Sequence, residues 1–234
     1  MKFEVILKKE ILLIGLIFLF FSCTNKNFII LPDYKKNSIK ESTLLVMVVD
    51  KPKIENSDDV TDDLGPGDPV DVYLKYFADK FPKYINQNTY ITDIMIDTSF
   101  IKKNLKEELF KLKENDKVEI YVPTNKLSLK SNSSEPDFVL LIQDINIDRK
   151  YANSGATPPD SPIQPAGAYL ELVHNCKTLI WDNTQNKVVS YGKFKCSSAI
   201  SFKMGKDNWD EILRNMVQLI FKNSSFKVKR RTNR

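Results

Sequence analysis

Two runs of alternating residues between positions 170 and 202 constrain the fold of this chain more than any other feature. Alternation of apolar and polar residues with a period of two is typical of a strand with one buried face. Thr184-Gln185-Asn186 separates the runs, and a three-residue turn with a left-handed Asn186 would align their buried faces in a long antiparallel hairpin. The predicted buried positions are Leu170, Leu172, His174, Cys176, Thr178 and Ile180 on the first strand, and Val188, Phe194, Cys196, Ile200 and Phe202 on the second.

Helical and extended patterns alternate in the chain before this hairpin. Residues 44–49 are continuously apolar, as in a strand that is buried on both faces. An acidic loop is expected next, and then Asp68 and Pro69 fit the N-cap and first turn of a helix that Pro82 should end or kink. The predicted inward face of this helix consists of Val70, Tyr73, Leu74, Phe77 and Phe81.

The remaining patterns predict three strands and two helices. Residues 90–97 and 118–122 resemble short strands, and 138–147 a longer strand with a β-bulge near Asp144. One helix is expected to start at Thr98 or Ser99, and the last at Asp207-Asn208. The predicted inward residues are Ile101, Leu105, Leu109 and Leu112 for the first of these helices, and Trp209, Ile212, Leu213, Met216 and Ile220 for the second.

These elements predict an α/β fold in a single domain over residues 44–222. The sheet should be mixed, with about three helices and an antiparallel C-terminal hairpin. The apolar strand at 44–49, the strand at 136–142 and the Trp181-Asp182 hairpin make the element order similar to that of small α/β envelope lipoproteins. The amino-terminal domain of TolB-type periplasmic proteins and the core of curli-secretion-type lipoproteins are two such folds. The resemblance concerns element order alone.

The amino-terminal segment has the three parts of an export signal. Lys2, Lys8 and Lys9 precede an apolar run at 11–21, which is followed by the small residue Ser22. A membrane-spanning helix needs about 20 apolar residues, so this run is too short for an anchor. Residues 1–22 are therefore predicted to be a signal peptide that is removed.

The cleavage region resembles a bacterial lipobox. The segment Leu19-Phe20-Phe21-Ser22-Cys23 ends in the cysteine that would receive a diacylglyceryl group, although Phe20 and Phe21 are bulkier than the family's usual residues. The resemblance implies a lipoprotein, with palmitate-type acyl chains on Cys23 and a lipidated tether over 23–43. Thr24, in place of an aspartate, favours the outer membrane, with the protein facing the periplasm.

The charge distribution says little about partners. The chain has 35 Lys and Arg against 30 Asp and Glu, a net charge of +5, and most of the positive charge is lysine. Residues 223–234 form a basic C-terminal tail, which could bind an anionic surface or be a solvated end. No nucleic-acid partner is expected for an exported protein.

Three groups of residues are candidates for chemistry. His174 is the single histidine and falls on a core face, so a packed core histidine is expected rather than a catalytic or metal-binding one. Cys176 and Cys196 could form a disulfide in an oxidising compartment, but the expected register makes them diagonal neighbours, too far apart without a shear. The aspartates of 58–68 could hold calcium, but a solvated acidic loop is the favoured interpretation.

No catalytic constellation, metal site or cofactor motif is recognised, so the chain is not expected to be an enzyme. The leading hypothesis is a non-catalytic cell-envelope lipoprotein that serves as a scaffold or assembly factor. It would bind the membrane through its lipid anchor and an envelope protein as partner, with the polar loops 125–135 and 148–166 as interaction candidates. The alternative is a periplasmic carrier of a lipid or other apolar ligand, and a hydrolase using Cys176 or aspartates ranks last.

Overall fold

A seven-stranded mixed β-sheet forms the centre of the protein in a computed structural model. The structure describes residues 28–35, 39, 41–100, 102–127, 135–153, 168–200, 203–222 and 224–226. The predicted signal peptide 1–22, the predicted lipidation site Cys23 and residues 227–234 of the basic tail lie outside the described residues.

The sheet has the strand order β1-β9-β8-β7-β2-β4, with β3 paired to the outer part of β7, while β5 and β6 form a separate two-stranded ribbon. The α/β class, the mixed sheet and the antiparallel C-terminal hairpin are confirmed, and the described residues contain four α-helices, where about three were predicted. The strands are β1 (Phe28–Ile30), β2 (Thr43–Val48), β3 (Lys53–Ile54), β4 (Asp93–Asp97), β5 (Leu105–Lys111), β6 (Lys117–Pro123), β7 (Phe138–Asn153), β8 (Ala168–Asp182) and β9 (Lys187–Ile200). The helices are α1 (Pro32–Lys35), α2 (Ser57–Leu64), α3 (Pro69–Asn88) and α4 (Lys206–Lys222).

Strand β2 is buried on both faces because it lies between two parallel neighbours, β4 and β7, with helices on one side of the sheet and the ribbon on the other. This is the environment that its continuous apolar run predicts. Thr43 and Asp137 hold the first residues of β2 and β7 together: the Thr43 backbone N–H donates to Asp137 Oδ2 at 2.8 Å, and the Asp137 N–H donates to Thr43 Oγ1 at 2.8 Å.

The long hairpin has the predicted register from Ile180 opposite Ser190 outwards, but the predicted three-residue turn is wrong: Asp182 pairs with Lys187, so the turn consists of the four residues 183–186. His174 lies opposite Cys196 and Cys176 opposite Phe194, and Asn186 is left-handed with φ 52°. The predicted bulge is also present in β7, where Asp144 has φ 49° and the register shifts between Gln143 and Asn146. The buried-face assignment is wrong for Val188, because a register shift after Ile180 turns its side chain to the ribbon side of the sheet. Phe202 lies outside the described residues.

Helices α3 and α4 cover one face of the sheet, and their inward residues are those predicted from the sequence. Tyr73, Phe77 and Phe81 of α3 are at most 1 % exposed, and Asp68 caps this helix by accepting from the Val70 N–H at 3.0 Å. Of the two effects predicted for Pro82, an end or a kink of the helix, the first is wrong: α3 continues to Asn88, since Tyr84 and Ile85 beyond the proline pack in the core. Helix α4 begins at Lys206, just before the expected cap. None of the helices in the described part of the chain is both long and apolar enough to cross a bilayer.

The predicted second helix over 99–112 is wrong. This segment forms β5, which pairs antiparallel with β6 from Leu105 opposite Pro123 to Lys111 opposite Lys117. The ribbon packs Val118, Ile120 and Val122 against the sheet face opposite the helices, so cross-strand packing overrides the helical spacing of the leucines. The predicted inward residue Leu109 is 60 % exposed.

The two ends of the described chain also differ from expectation. The predicted tether over 23–43 is wrong for residues 28–35, because β1 pairs with β9 and Tyr34 of α1 is buried. At the other end the domain extends past residue 222, since Phe226 is 2 % exposed and packs on Phe138 and Phe221. The folded unit therefore includes residues that composition alone assigns to linkers.

Candidate functional site

An open groove of about 470 Å³ lies at the end of the sheet where β8 turns into β9. One wall comes from α1 and the residue before it, the opposite wall from the ends of β5 and β6, and the floor from the end of β8 and the start of β9. A groove of this size lies within the usual range for ligand-binding sites, and it suits a short peptide segment or a small molecule.

Trp181 supplies the floor and one unsatisfied donor. Its side chain is 7 % exposed, and its indole Nε1–H has no hydrogen-bond partner among the described residues. A buried N–H without an acceptor costs roughly 1–3 kcal/mol, so buried tryptophans usually find one. Because Nε1 itself is buried, Trp181 offers the groove its large aromatic ring, and it is the leading binding residue of the groove.

Tyr34 and Asp182 fix the α1 wall to the hairpin turn. The Tyr34 hydroxyl donates to Asp182 Oδ2 at 2.8 Å, while Asp182 Oδ1 accepts from the backbone N–H groups of Thr184 and Gln185 at 3.0 and 2.9 Å. Burial, and next the hydrogen bond to Asp182, raise the pKa of the Tyr34 hydroxyl, so it remains a donor at every physiological pH. Ser225 donates to the Tyr34 carbonyl oxygen and ties the last described residues to the same wall.

The charged side chains around the groove are balanced. Lys106 and Glu108 of β5 form an ion pair at 2.6 Å on one side, and Asp33 and Lys187 line the groove elsewhere. Two cations and two carboxylates give no net field of one sign. The groove therefore suits a ligand with both donors and acceptors, such as a polypeptide, better than a polyanion.

The apolar part of the lining depends on the β9 irregularity. Val188 lines the groove together with Leu31, Val122 and Pro123, and it does so because the register shift after Ile180 places it on this face. Because of this shift, the buried face that the sequence predicts for Val188 is wrong. A bulge beside a turn is a common way to re-aim a side chain toward a site.

The histidine and cysteines lie in the core, away from this groove. His174 is fully buried with Nε2 at 2.9 Å from the Tyr73 hydroxyl, and burial lowers its pKa to about 4, as expected for a packed core histidine. Cys176 and Cys196 are both buried at the diagonal positions that the register predicts, and no disulfide joins them in the structure. Burial raises the pKa of the Cys176 thiol to about 12, which opposes the thiolate that a nucleophile needs.

The acidic segment is not the loop that its composition predicts. Ser57–Leu64 forms helix α2, and its carboxylates contact the rest of the domain: Asp59 pairs with Arg149 at 2.9 Å, and Asp63 accepts from the Trp209 indole N–H at 3.0 Å. Within the described ranges, no group of three or more His, Cys, Asp or Glu side chains is arranged to hold a metal ion. These aspartates therefore help to fix helices and strands to one another.

Neither polar loop predicted as an interaction site lies wholly within the described residues. Strand β7 extends to Asn153, so the first part of the predicted loop 148–166 is strand, and residues 154–166 lie outside the described residues. The same holds for 128–134 of the loop 125–135, although Asn183 fixes its start by accepting from the Leu127 N–H at 2.8 Å and donating to the Leu127 carbonyl at 2.9 Å.

Sequence reasoning missed the groove because its lining comes from five separated segments. Tyr34 and Asp182 are 148 positions apart, and no local pattern indicates that they meet. The one available signal was the tryptophan beside the turn at Trp181-Asp182, since a large aromatic residue at a strand end often borders a binding surface.

No family model matches the chain, and no curated protein matches it in sequence. Among solved structures, it is similar to the PelC dodecamer protein from Paraburkholderia phytofirmans, at 10 % identity and TM-score 0.35 over 78 % of this chain and 91 % of that one. Protein XCC0632 from Xanthomonas campestris, of the DUF330 family, gives 9 % identity and TM-score 0.35 over 81 % and 85 %. A homolog of a neuraminyllactose-binding hemagglutinin from Helicobacter pylori gives 6 % identity and TM-score 0.33 over 80 % and 84 %. Likenesses at this level do not indicate a function for this chain.

Proposed function

We propose that the protein is a non-catalytic cell-envelope lipoprotein, anchored through Cys23, that positions a partner protein by holding a segment of it in the groove. The observation that carries the proposal is a groove that combines the largely buried ring of Trp181 with a rim of balanced charges. The export signal and lipobox resemblance of residues 1–23 support the envelope location, with the outer membrane and a periplasmic orientation as the finer proposal.

The chemistry of the core supports a binding role over a hydrolytic one. Cys176 is held as a thiol and His174 as a neutral imidazole, both by burial, and neither borders the groove. The groove itself brings two lysines and two carboxylates to its lining, of which Lys106 and Glu108 already neutralise each other. Such a rim can align polar groups of a ligand without activating a nucleophile.

A polypeptide segment fits this groove for a further reason. An extended segment presents side chains that could pack on the apolar lining at Trp181, Val188 and Val122. Positive and negative side chains of the bound segment could each pair with an opposite charge on the rim of the groove. Aromatic anchors in a groove with a polar rim are the usual centre of a protein interface.

The test is recovery of a partner by the full-length protein from its own membranes in mild detergent, with mass spectrometry of the attached proteins. Lys187→Glu reverses one charge of the groove, and Trp181→Phe replaces the indole on its floor with a smaller ring. Lys75→Glu, on the exposed side of α3, is the matched control for charge. The proposal expects a stoichiometric partner that Lys187→Glu and Trp181→Phe lose and Lys75→Glu retains.

Two outcomes would contradict it. A monomer without any partner would remove the scaffold role, and equal recovery by all three variants would place the partner elsewhere on the surface. The apolar side of the groove keeps the ligand-carrier function as the second candidate. If lipid co-purifies with the wild-type protein and is lost from Trp181→Phe, the carrier function replaces the scaffold.

A further inference from the structure

One edge of strand β5 borders the groove and has no strand beside it in the described part of the chain. Strands β5 and β6 form a ribbon of two strands only, and Gln143 of the main sheet bonds to β6 on the ribbon's other edge. Lys106 and Glu108 line the groove, so the free edge faces α1 across it. This outer edge of β5, over Leu105–Lys111, is the β5 edge.

The hydrogen bonds that close the ribbon at its two ends show which backbone groups of β5 point outward. The Thr124 N–H donates to the Asn104 carbonyl at 2.8 Å, and the Leu112 N–H donates to the Asp116 carbonyl at 2.7 Å. Hydrogen-bonded and non-hydrogen-bonded pairs alternate in an antiparallel ladder. The even-numbered residues of β5 therefore bond to β6, and the odd-numbered residues direct their N–H and C=O groups away from it.

The centre of the β5 edge presents free backbone groups at a regular spacing. At one end the Lys111 carbonyl accepts from the Tyr191 hydroxyl at 2.9 Å, which confirms the outward direction. Within the described residues, the N–H and C=O groups of Glu107 and Leu109 bond to no other group. These two residues are about 7 Å apart along the strand. A row of donors and acceptors with this repeat matches the backbone of another extended strand.

The solvent-facing side chains of the β5 edge define what such a strand should carry. Leu109 is 60 % exposed, and neither Glu107 nor Lys111 has an ion-pair partner among the side chains that the structure describes. Directly opposite residues on neighbouring strands have their side chains in contact. An antiparallel strand would therefore place an acidic residue beside Lys111, an apolar one beside Leu109 and a basic one beside Glu107.

The other side chains of an added strand would enter the groove. They would lie between β5 and α1, over the half-buried apolar residues Ile29, Leu31 and Val188. Apolar side chains would cover these residues and remove them from water. The segment that fits is thus apolar at every second position and carries acid, apolar residue and base in order at the positions between.

We infer that the β5 edge takes an extended segment of the partner as a third, antiparallel strand of the ribbon. The inference rests on the proposed function and deepens it, because it names the conformation, the direction and the residue order of the segment held in the groove. Backbone pairing of this kind provides affinity, and alternate side chains provide specificity. Residues 107–111 themselves have the order acid, apolar residue, base, but a second folded copy would bring its own ribbon and sheet against the facing wall at α1.

The test uses the full-length protein in mild detergent and a fluorescein-labelled heptapeptide of sequence Glu-Val-Leu-Val-Lys-Val-Thr. In the inferred register its Leu lies opposite Leu109 and its Lys opposite Glu107. One probe is N-methylated on the first two valines, whose N–H groups face away from β5. The matched probe is N-methylated on Leu and Lys, whose N–H groups face β5. The two probes have the same side chains and differ only in the edge that is blocked.

The expected result is a difference between the two probes in fluorescence anisotropy. The probe methylated on Leu and Lys should bind at least about ten-fold more weakly than the other. Leu109→Pro removes an outward N–H without removing a bond to β6, and should weaken the better probe by at least about ten-fold. Glu119→Pro, opposite Leu109 but on the other edge of the ribbon, is the matched control and should have no effect.

Amide exchange measured by NMR gives a second readout that does not depend on a variant. Binding of the better probe should slow exchange at the Glu107 and Leu109 amides several-fold and leave the Glu119 amide unchanged. Exchange that slows equally on both edges of the ribbon would contradict strand addition, because it would indicate a general tightening of the fold.

Three outcomes would overturn the inference. Equal affinity of the two methylated probes, or no binding of either at about 1 mM, would exclude pairing at the β5 edge. A dimer that Leu109→Pro dissociates would assign the edge to a second copy. A membrane partner that is lost from Trp181→Phe but retained by Leu109→Pro would leave the proposed function standing without strand addition. Conversely, normal probe binding with no partner in native membranes would remove the scaffold role and leave the β5 edge as a strand-binding site.

Discussion

Gln143 and Tyr121 exchange two hydrogen bonds that join the ribbon to the main sheet. The Tyr121 backbone N–H donates to Gln143 Oε1 at 2.7 Å, and Gln143 Nε2 donates to the Tyr121 carbonyl at 2.9 Å. Gln143 is 1 % exposed and directly precedes the bulged Asp144 in β7. One side-chain amide thus satisfies a donor and an acceptor of a strand that the main sheet does not pair.

Replacing this amide should loosen the ribbon. Gln143→Leu keeps the side-chain volume but leaves the two Tyr121 backbone groups unsatisfied, so we expect a loss of about 2–3 kcal/mol in the free energy of unfolding. Urea denaturation of the full chain measures the loss, and hydrogen exchange should quicken first in β5 and β6. Gln185→Leu, in the exposed hairpin turn, is the control and should change stability by less than about 0.5 kcal/mol. If Gln143→Leu leaves the free energy of unfolding and the hydrogen exchange of β5 and β6 unchanged, Gln143 does not join the ribbon to the sheet.

Stability should depend on pH through His174. Its pKa is lowered to about 4 in the folded protein, so between pH 6.5 and 4 the unfolded chain binds the proton and folding is disfavoured as the pH falls. The contribution of neutral His174 to the free energy of unfolding is complete above the ordinary histidine pKa and declines as the pH falls below it. We expect a loss of about 2 kcal/mol between pH 7.5 and pH 5, measured by urea denaturation.

The matching variant for this prediction is His174→Gln, which can still bond to the Tyr73 hydroxyl but does not titrate. Its stability should be lower than that of the wild type at pH 7.5 but nearly constant down to pH 5. An equal pH dependence in both proteins would show that other groups control it.

Asp182 should contribute more stability than any single bond that it makes. Asp182→Ala removes the acceptor of the Tyr34 hydroxyl and of the Thr184 and Gln185 N–H groups, so we expect a loss of about 3 kcal/mol. Tyr34→Phe removes only the hydroxyl and should cost about 1 kcal/mol. Thermal and urea unfolding compare the two; equal losses would mean that the turn contacts contribute nothing.

Reduction should leave the folded protein unchanged. Cys176 and Cys196 lie on a diagonal, and the thiol pKa of Cys176 is raised to about 12 by burial, so neither a bridge nor a reactive thiolate is expected at neutral pH. The melting temperature should be the same with and without a phosphine reductant, and thiol reagents should label these cysteines only on unfolding. A fall in the melting temperature on reduction would demonstrate a disulfide.

The hairpin and the helix faces could be predicted because their signals are local. The period of two around Asn186 fixes the register of β8 and β9, and the cap at Asp68 with the apolar face of α3 fixes that helix. In each case the residues that decide the element lie within one strand or a few helical turns.

The ribbon and the groove could not be predicted because distant contacts decide them. Leu105, Leu109 and Leu112 have helical spacing, and only pairing with β6 across the turn Lys113–Asn115 makes the segment a strand. The wall at Tyr34 depends on Asp182 and Ser225, which no pattern in residues 28–35 indicates. The same missing contacts caused the folded segment 28–35 to be assigned to a tether.

The position of α1 has a consequence for the order in which the chain can fold. The segment around Tyr34 is among the first residues of the domain to be synthesised, yet its partners Asp182, Val189, Gly192 and Ser225 are among the last. During synthesis, which begins at the amino terminus, the full set of these contacts cannot form until the chain has emerged as far as Ser225. Closure of the groove wall therefore reports that the chain has been synthesised as far as Ser225, and a chain truncated before Ser225 lacks the contact that fastens the wall.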